Sequence, residues 1–373
     1  MKYVDEFRNT EICLKLAAKI SKIASNTDTI IMEVCGTHTM SIARYGIKNL
    51  LPNVKLLSGP GCPVCVTSNS QIDQMIAYSR SPEMIIATFG DMIHVPGSTS
   101  SLEKERASGA DVRIVYSVAD AVRIAKNNPD KRVIFLGVGF ETTSPTVAAS
   151  IEKAYRINLK NYFVFSAHKL IPPAMKTILD KGVKISGFLL PGHVCTITGT
   201  EDFNFIANEY RIPCVVAGFE PIDILYSIWL LIHQIENKRS IVEIGYKRAV
   251  RKEGNLMAKK SLKEVFEISD AEWRGMGTIA QSGLEIKERY EKFDAGKNVK
   301  VRVEPTKNHP GCICGSILQG IQTPEECKLF GTGCTPENPV GPCMVSSEGT
   351  CAARYKYGGY EGYKGYEGYG GIL

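Results

Sequence analysis

The sequence predicts an α/β protein of two similar domains built on Rossmann-like parallel sheets, followed by a small cysteine-rich segment. Three observations support this fold class: short β-rich runs alternate with amphipathic stretches, the alternation occurs twice, and the composition changes near residue 300. Such alternation is typical of parallel βαβ units. The length of 373 residues also exceeds what one small core requires, which agrees with several domains.

The first α/β domain is predicted to occupy residues 1–127. Its first helix, over residues 7–25, follows from apolar side chains at helical spacing. These side chains are Ile12, Leu16, Ile20 and Ile23. The predicted strands lie in TIIMEVC (29–35), VKLLSGP (54–60), EMIIATFG (83–90) and DVRIVYS (111–117).

The second α/β domain, predicted over residues 128–300, repeats the pattern. Its strands are expected in KRVIFLGVGFETTS (131–144), YFVFSAH (162–168), ISGFLLPGHV (185–194) and IPCVVAGF (212–219). A long buried helix is predicted over 221–238. The unusual polar or thiol motifs CGTH, GPGCPVC, FGDM, GFETT, SAHK and PGHV each follow a strand. Because functional groups collect beyond the carboxyl ends of parallel strands, we expect one shared cleft.

The end of the chain differs from both domains. Residues 301–358 are rich in Cys, Gly and Pro and poor in long apolar runs, so a metal is the expected organiser of this third domain. Residues 359–373 form a Tyr/Gly repeat of low complexity, which is predicted to be a flexible tail.

Charge and hydropathy argue against nucleic-acid and membrane functions. The net charge is +6, and Lys and Arg are scattered rather than clustered. The first twenty residues include acidic side chains and no continuous apolar segment, so no signal peptide is predicted. The most apolar window, 224–233, is too short to span a bilayer. We therefore expect a cytoplasmic protein with no nucleic-acid or membrane partner.

Twelve cysteines in a reducing compartment indicate metal ligands, catalytic thiols or small buried side chains rather than disulfides. Six of them fall within forty residues, which argues against a set of unligated thiols. Four have the spacing Cys312-x14-Cys327-x6-Cys334-x16-Cys351, with Cys314 and Cys343 inside it. Four thiolates suit tetrahedral zinc or an iron–sulfur cluster, and the lack of paired CxxC knuckles favours the cluster.

The ordered set of motifs resembles the HypD family of hydrogenase maturation factors over residues 10–357. The motifs are EVCGTHTM (33–40), SGPGCPVC (58–65), GFETT (139–143), PGHV (191–194), WRGMGTIAQSGL (273–284) and TPENPVGPCMVSSEGTCAARYKYG (335–358), together with the four-cysteine spacing. One departure is Cys195, which stands where family members usually have serine after PGHV. The Tyr/Gly tail also lies outside the family pattern.

The resemblance implies a scaffold for assembly of the Fe(CN)2CO unit of [NiFe]-hydrogenase, which it holds as transient iron. The implied partners are a HypC-type small chaperone and a HypE-type protein that donates cyanide from a thiocyanate. The implied cofactor is a [4Fe-4S] cluster, bound by Cys312, Cys327, Cys334 and Cys351. Such a protein is an assembly scaffold with thiol redox activity rather than a conventional turnover enzyme.

Cys35 is predicted to be an iron ligand, with His38 assisting. Cys35 ends a strand and precedes Gly36, so its thiol is expected to be exposed to the cleft, where soft thiolate suits low-spin iron. A nearby imidazole lowers a thiol pKa or supplies a second ligand. The alternative is a small apolar side chain at a strand end, with His38 capping the next helix.

Cys62 and Cys65 bracket a Pro-Val step like a dithiol motif ahead of a helix. At a helix N-terminus the macrodipole stabilises thiolate, so the pair is predicted to cycle between dithiol and disulfide. The electrons would serve the reduction of cyano groups released from thiocyanate, or the attachment of iron. One alternative is iron ligation together with Cys35. A turn with two unreactive thiols is the third interpretation.

The GFETT motif offers a carboxylate and two hydroxyls at a strand end. Glu141, Thr142 and Thr143 are predicted to orient water, accept a proton or hold a cyanide nitrogen. The structural alternative is a helix cap with Pro145 in the first turn, and both roles are compatible. His193 of PGHV is predicted to donate to the same unit. Weaker candidates of the same kind are Asp91 and His168.

Two other classes of function remain open on the residues. The first is an iron–sulfur oxidoreductase that acts alone on a small substrate. The second is a zinc-stabilised binding module without chemistry. The phosphate-binding pattern GxxxxGK[ST] is absent, so no ATP chemistry is expected.

Overall fold

Two parallel β-sheets and one antiparallel hairpin form the framework of the chain in this computed structural model, which describes residues 5–24 and 28–358. One sheet has the order β2-β1-β7-β8-β9 and the other β4-β3-β5-β6, while β10 and β11 form the hairpin. The strands are β1 Thr29–Glu33, β2 Val54–Ser58, β3 Met84–Thr88, β4 Val112–Ile114, β5 Arg132–Gly137, β6 Tyr162–Ser166, β7 Gly187–Pro191, β8 Cys214–Ala217, β9 Val242–Ile244, β10 Phe266–Trp273 and β11 Gly277–Ile286.

Helices cover the sheets and connect the strands. They are α1 Thr10–Ala24, α2 Gly36–Arg44, α3 Ile47–Leu50, α4 Pro63–Val66, α5 Asn69–Ser79, α6 Leu102–Ala107, α7 Val118–Asn127, α8 Ser144–Arg156, α9 Ile171–Asp180, α10 Gly192–Thr198, α11 Asn204–Glu209, α12 Pro221–Glu236, α13 Leu256–Val265, α14 Ala295–Asn298, α15 Cys314–Leu318, α16 Pro342–Val345 and α17 Thr350–Tyr357. Short 3-10 helices occupy Asp5–Arg8, Gly90–His94, Glu201–Phe203, Glu288–Phe293 and Pro324–Glu326. Within the described ranges, none of the helices combines the length and the apolar character that crossing a bilayer requires.

The predicted α/β class and parallel sheets are confirmed, and the eight predicted strands correspond to β1–β8. The two sheets do not follow the predicted domain boundary between residues 127 and 128, because each contains strands from both sides of it. That boundary falls inside the four-stranded sheet, where β3 pairs with β5 across it. The five-stranded sheet is completed only when β7 pairs with β1, with Ile31 opposite Gly187. An apolar run predicts a strand, but it does not specify which strand lies beside it.

The first helix begins and ends close to its predicted bounds, but its buried face is rotated. The buried side chains of α1 are Cys13, Ala17, Ile20 and Ala24, which pack on α12. Of the predicted stripe only Ile20 is fully buried, and Ile12 is 44% exposed. Small side chains on this face let α1 approach α12 closely. This close packing, rather than the position of the largest apolar side chains, determines which face of α1 is buried.

The cysteine-rich segment shares the main core instead of building a separate one. Ile317 and Leu318 of α15 belong to the same apolar cluster as Met32 of β1. A Cβ at Gly320 would lie 2.5 Å from Cε of Met32, so the segment packs directly against the five-stranded sheet. This contact brings the C-terminal cysteines to the edge of the sheet from which the first thiol motifs emerge. The predicted flexible tail, 359–373, lies outside the described residues.

Candidate functional site

The CGTH turn and the GPGCPVC loop are in backbone contact at the carboxyl edge of the five-stranded sheet. Cys35 is the N-cap residue of α2, directly after β1, and the loop follows the neighbouring strand β2. Gly36 N–H donates to the carbonyl of Gly61 over 2.9 Å. A Cβ at position 61 would lie 2.1 Å from the backbone nitrogen of Cys35, so only glycine permits this approach.

The C-terminal segment closes over the same turn. A Cβ at Gly36 would lie 2.5 Å from Cβ of Glu348. The Thr37 hydroxyl donates to Oε1 of Glu348 over 2.6 Å, and α17 packs on α2. Ser346 donates to Oδ2 of Asp91 over 3.1 Å, which brings the FGDM loop of the other sheet to this place. The structure therefore brings three of the six motif loops together, as expected, and the C-terminal segment joins them.

The Cys35 thiol is buried rather than exposed, with 8% of the residue accessible. The predicted exposure was wrong because Glu348 and its neighbours cover the turn. Burial raises the pKa of Cys35 to about 12, with further contributions from the nearby charges of Glu348 and Glu33. The N–H groups of His38 and Thr37 oppose this shift by donating to the sulfur. The thiol is protonated at neutral pH.

Glu33 is a site residue that the sequence analysis did not identify. It ends the apolar strand β1, is 2% exposed and accepts a hydrogen bond from Cys35 N–H over 2.9 Å and another from the Thr39 hydroxyl. Burial raises the pKa of Glu33 to about 7. An acid within an otherwise apolar parallel strand, two residues before a cysteine, was the signal in the sequence.

His38 is a neutral imidazole with one free lone pair. Its Nε2–H donates to the carbonyl of Gly218 over 2.9 Å, while Nδ1 is buried and has no partner among the described residues. Burial lowers the pKa of His38 to about 4, so the ring stays neutral at neutral pH. Phe219 stacks on His38 at 4.8 Å and on His193 at 3.9 Å between ring centroids. The PGHV motif therefore reaches the CGTH turn through one shared aromatic ring.

Cys62 and Cys65 lie at the start of the short helix α4, as predicted. Cys62 is its N-cap, and its sulfur accepts Cys65 N–H over 3.2 Å. Both residues are buried, at 3% and 0% exposure. Burial raises the pKa of Cys65 well above that of a free thiol, so the predicted stabilisation of thiolate is wrong for Cys65. Desolvation outweighs the dipole because α4 has only four residues.

A continuous series of thiols leads from α4 to the C-terminal segment. Cys65 lies close enough to Cys343 and Cys62 for both thiols to affect its pKa. The sulfurs of Cys343 and Cys314 are 2.9 Å apart. Cys314 is in turn close enough to Cys312 for that thiol to affect its pKa. Cys343 and Cys314, which had no assigned role in the sequence, thus lie between the two cysteine groups.

All six C-terminal cysteines line one cavity of about 20 Å³, enough for roughly one water molecule. The other lining residues are Ile317, Leu329, Phe330, Val340, Gly341 and Met344. Val340 N–H donates to the Cys334 sulfur over 3.3 Å, and a Cβ at Gly341 would lie 2.9 Å from the Cys312 sulfur. Thiols, amide donors to sulfur and an apolar lining are the surroundings that an iron–sulfur cluster requires.

The donor set therefore fits the implied cluster in its chemistry. No group of three or more His, Cys, Asp or Glu side chains is arranged to hold a metal ion within residues 5–24 and 28–358. The ligand roles of Cys312, Cys327, Cys334 and Cys351 stay predictions.

Glu141 of GFETT is buried at the edge of the four-stranded sheet. Its Oε1 accepts Ile171 N–H over 3.0 Å, at the first turn of α9, while Oε2 is buried without a partner in the described chain. Burial raises the pKa of Glu141 to about 7. The Cys195 thiol lies close enough to both Glu141 and Cys35 for their charges to act on it. Cys195 thus lies between the GFETT and CGTH motifs.

The remaining candidates take structural positions. Thr143 is the N-cap residue of α8, with Pro145 in the first turn as predicted, but no side-chain cap bond forms. Thr142 precedes it and is partly exposed. His168 is buried, bonds to Ser166 at 3.1 Å and packs on Phe266 at 5.6 Å between ring centroids, in a core separate from the thiols.

Fold and site together define an α/β protein whose main cleft is built from cysteine-bearing turns. A family described as "Hydrogenase formation hypA family", HypD, matches residues 11–358. The chain is 47% identical over 369 residues to "Hydrogenase maturation factor HypD2" of Bradyrhizobium diazoefficiens, covering 96% of this chain and 97% of that protein. The chain belongs to the HypD family of hydrogenase maturation factors, which confirms the resemblance seen in the motifs.

Two further relatives come from distant organisms. A putative hydrogenase expression/formation protein of Methanocaldococcus jannaschii is 45% identical over 345 residues, with 92% of this chain and 96% of that protein covered. A hydrogenase maturation factor HypD of Cupriavidus necator is 42% identical over 372 residues, with 97% and 98% covered. The similarity thus extends over nearly the full length of each relative.

Proposed function

We propose that this chain is the scaffold on which the Fe(CN)2CO unit of [NiFe]-hydrogenase is assembled, with Cys35 as the iron ligand. The observation that supports this most is the convergence of three motifs on the Cys35 turn. Gly61 and Gly36 permit contacts at this turn that any side chain would prevent. A strand end enclosed so tightly around one thiol is better suited to holding a fixed ligand than to packing a core.

The groups around Cys35 suit a cationic substrate. Glu33 and Glu348 place carboxylates near the thiol, and the N–H groups of His38 and Thr37 point at its sulfur. When iron binds, it replaces the thiol proton, because metal–thiolate bonding requires the deprotonated sulfur. The Nδ1 atom of His38, which has no partner in the part of the chain that the structure describes, offers a lone pair as a further ligand. Thiolate and imidazole are ligands that low-spin iron accepts.

The series of thiols supports a supply of electrons to this reaction. Release of cyanide from a thiocyanate needs two electrons, since R–S–CN + 2 e⁻ gives R–S⁻ and CN⁻. Oxidation of the Cys62–Cys65 dithiol to a disulfide yields two electrons and two protons. The Cys314–Cys343 dithiol restores the first pair by thiol–disulfide exchange through the Cys65–Cys343 contact. An external one-electron donor then reduces the second pair in two steps.

The residues that would hold a [4Fe-4S] cluster are Cys312, Cys327, Cys334 and Cys351. Such a cluster supplies one-electron transfer, which links a one-electron donor to two-electron thiol chemistry. Cys314 and Cys343 line the same cavity as these four cysteines. Their position supports an exchange of electrons between the cavity and α4.

Polar groups around the cleft would orient the diatomic ligands. His193 stacks on Phe219, the ring that also stacks on His38. Glu141, whose Oε2 has no partner among the described residues, is close enough to Cys195 for its charge to act on that thiol. Glu141, Thr142, Thr143 and His193 are proposed to hold water or a cyanide nitrogen. The proposed partners are a HypC-type chaperone and a HypE-type cyanide donor, and the proposed location is the cytoplasm.

Infrared spectroscopy of the complex tests this function. The chain is purified anaerobically with the small chaperone, and bands in the cyanide and carbonyl stretching region are recorded for wild type, Cys35→Ala and Cys13→Ala. Cys13 is a fully buried thiol in α1, so its variant controls for loss of a thiol elsewhere in the fold. We expect bands in wild type and Cys13→Ala and none in Cys35→Ala.

Equal bands in all three proteins would overturn the role of Cys35. Metal analysis of the same samples separates the alternatives. Iron with sulfide supports the cluster, whereas zinc alone favours a binding module without chemistry. Turnover of a small substrate by the isolated chain would favour a solitary oxidoreductase.

A further inference from the structure

The tip of the β10–β11 hairpin lies between the two groups of cysteines. Arg274 N–H donates to the carbonyl of Val66 over 2.8 Å, and Arg274 Nε donates to the carbonyl of Thr67 over 2.9 Å. On the other side, a Cβ at Gly275 would lie 2.2 Å from Cα of Gly315. The tip is therefore in backbone contact with the end of α4 and with the beginning of α15.

Arg274 adjoins Gly275, whose backbone contacts Gly315 next to Cys314, so Arg274 lies near the first of the C-terminal cysteines. Its Nη2 atom is buried and has no hydrogen-bond partner among the described residues. The pKa values of Cys312 and Cys314 are raised overall, through interactions between neighbouring thiols and burial, and the positive charge of Arg274 opposes this rise at both sulfurs. A buried guanidinium nitrogen without an acceptor is costly, so this arrangement needs a compensating electron-rich group. The sulfurs of Cys312 and Cys314 are the groups on which its charge acts.

We propose that Arg274 is a positioning residue that fixes one positive charge beside the C-terminal cysteines and thereby raises the reduction potential of the cluster held there. This inference rests on the proposed function, because it concerns the cluster assigned to that cavity. One added electron makes a thiolate-bound cluster more negative by one charge. A fixed cation inside the protein stabilises that reduced state, where the effective dielectric is lower than in water.

The geometry explains why the arginine lies on the hairpin tip rather than on the cysteine segment itself. The backbone N–H of Arg274 bonds to the Val66 carbonyl, and the Nε bond to the Thr67 carbonyl holds the guanidinium near α4. Its charge then acts on the thiols between α4 and the cavity as well as on those that line the cavity. A lysine would keep the charge but not the planar fork that bonds the Thr67 carbonyl.

The test is a redox titration of the full chain, reconstituted with iron and sulfide, reduced stepwise with dithionite and monitored by electron paramagnetic resonance. The variants are Arg274→Gln, which removes the charge, and Arg274→Lys, which keeps it. Arg289→Gln is the matched control, because Arg289 is a surface arginine paired with Glu264. Far-UV circular dichroism verifies the fold, and Arg274→Met replaces Arg274→Gln if the latter does not fold.

We expect Arg274→Gln to reduce the ratio of reduced to oxidised cluster about tenfold at fixed potential, which is a shift of about 59 mV for one electron. The reduction potential of Arg274→Lys should stay much closer to that of wild type, and the potential of Arg289→Gln should equal that of wild type. An unchanged potential in Arg274→Gln overturns the inference, and so does an equal shift in the lysine variant, since that would reflect geometry rather than charge. A wild-type chain that binds no cluster instead refutes the proposed function.

Discussion

Cys35 and Cys65 follow adjacent parallel strands, and both are buried, yet their surroundings differ in kind. Cys35 is flanked by the carboxylates of Glu33 and Glu348 and by two amide N–H groups directed at its sulfur. Cys65 is flanked by other thiols, those of Cys62 and Cys343. The sulfur of Cys35, after β1, therefore has charged neighbours, whereas the sulfur of Cys65, after β2, has other thiols as neighbours.

The difference indicates a division of chemistry within one cleft. Charged and polar neighbours favour binding of a cation at Cys35, whereas a neighbouring thiol is what disulfide exchange requires at Cys65. A backbone contact at Gly61 keeps the two thiols in neighbouring turns without mixing their surroundings. The following predictions, from the largest expected effect to the smallest, test whether the two regions act separately.

Removal of the intermediate thiol should have the largest effect. Cys343→Ala breaks the contact between Cys65 and Cys314, so we expect loss of hydrogenase maturation in a strain that depends on this chain. The visible absorption of the cluster should persist, because Cys343 is outside the predicted ligand set. Cys13→Ala is the control. Full maturation in the Cys343 variant would refute the series of thiols as an electron path.

Gly61→Ala should destabilise the junction of the two regions. The added Cβ would lie 2.1 Å from the Cys35 nitrogen, so the backbone must shift, at a cost of about 3 kcal/mol in the free energy of unfolding. Gly90→Ala is the matched control, since its Cβ would have no neighbour nearer than 3.9 Å and should cost less than about 0.5 kcal/mol. Denaturant unfolding measures both, and equal values would contradict the close approach.

Glu348→Gln should make Cys35 more reactive. The Glu348 charge raises the pKa of the Cys35 thiol, so its removal lowers that pKa and increases the thiolate fraction. We expect alkylation of Cys35 at pH 8 to become about threefold faster, as a shift of half a pKa unit gives. Peptide mass mapping follows the rate. Glu304→Gln serves as the control, because Glu304 is an exposed carboxylate paired with Arg80. An unchanged alkylation rate in Glu348→Gln would contradict the role of Glu348 at this site.

Cys195→Ser should have the smallest effect. Cys195 lies near Cys35 and Glu141, but none of the thiol contacts in the series from Cys62 to Cys312 includes it. Serine is similar in size to cysteine, but its hydroxyl would be fully buried, so the free energy of unfolding should fall by about 1 kcal/mol, the lower end of the cost of burying a hydroxyl. Maturation should be retained. A loss as large as that of Cys343→Ala would place Cys195 among the working thiols.

The sequence predicts the strands and the motif positions well, and the site only in part. Apolar β-rich runs identify β1–β8, because the central strands such as β3, β7 and β8 are buried on both faces. The pairing of β1 with β7 is not predictable, since strand order depends on packing between distant parts of the chain. Glu348 and Arg274 were missed for the same reason: each lies in a motif that was noted, but its partner, Thr37 or Thr67, is more than two hundred positions away.

The pairing of Thr37 with Glu348 joins positions 311 apart. During synthesis, the turn that carries Cys35 therefore leaves the ribosome long before the segment that covers it. A nascent chain that ends before Glu348 leaves this turn uncovered. The completed enclosure thus requires synthesis past Glu348, and a product that ends earlier lacks the closed turn that we propose for holding iron.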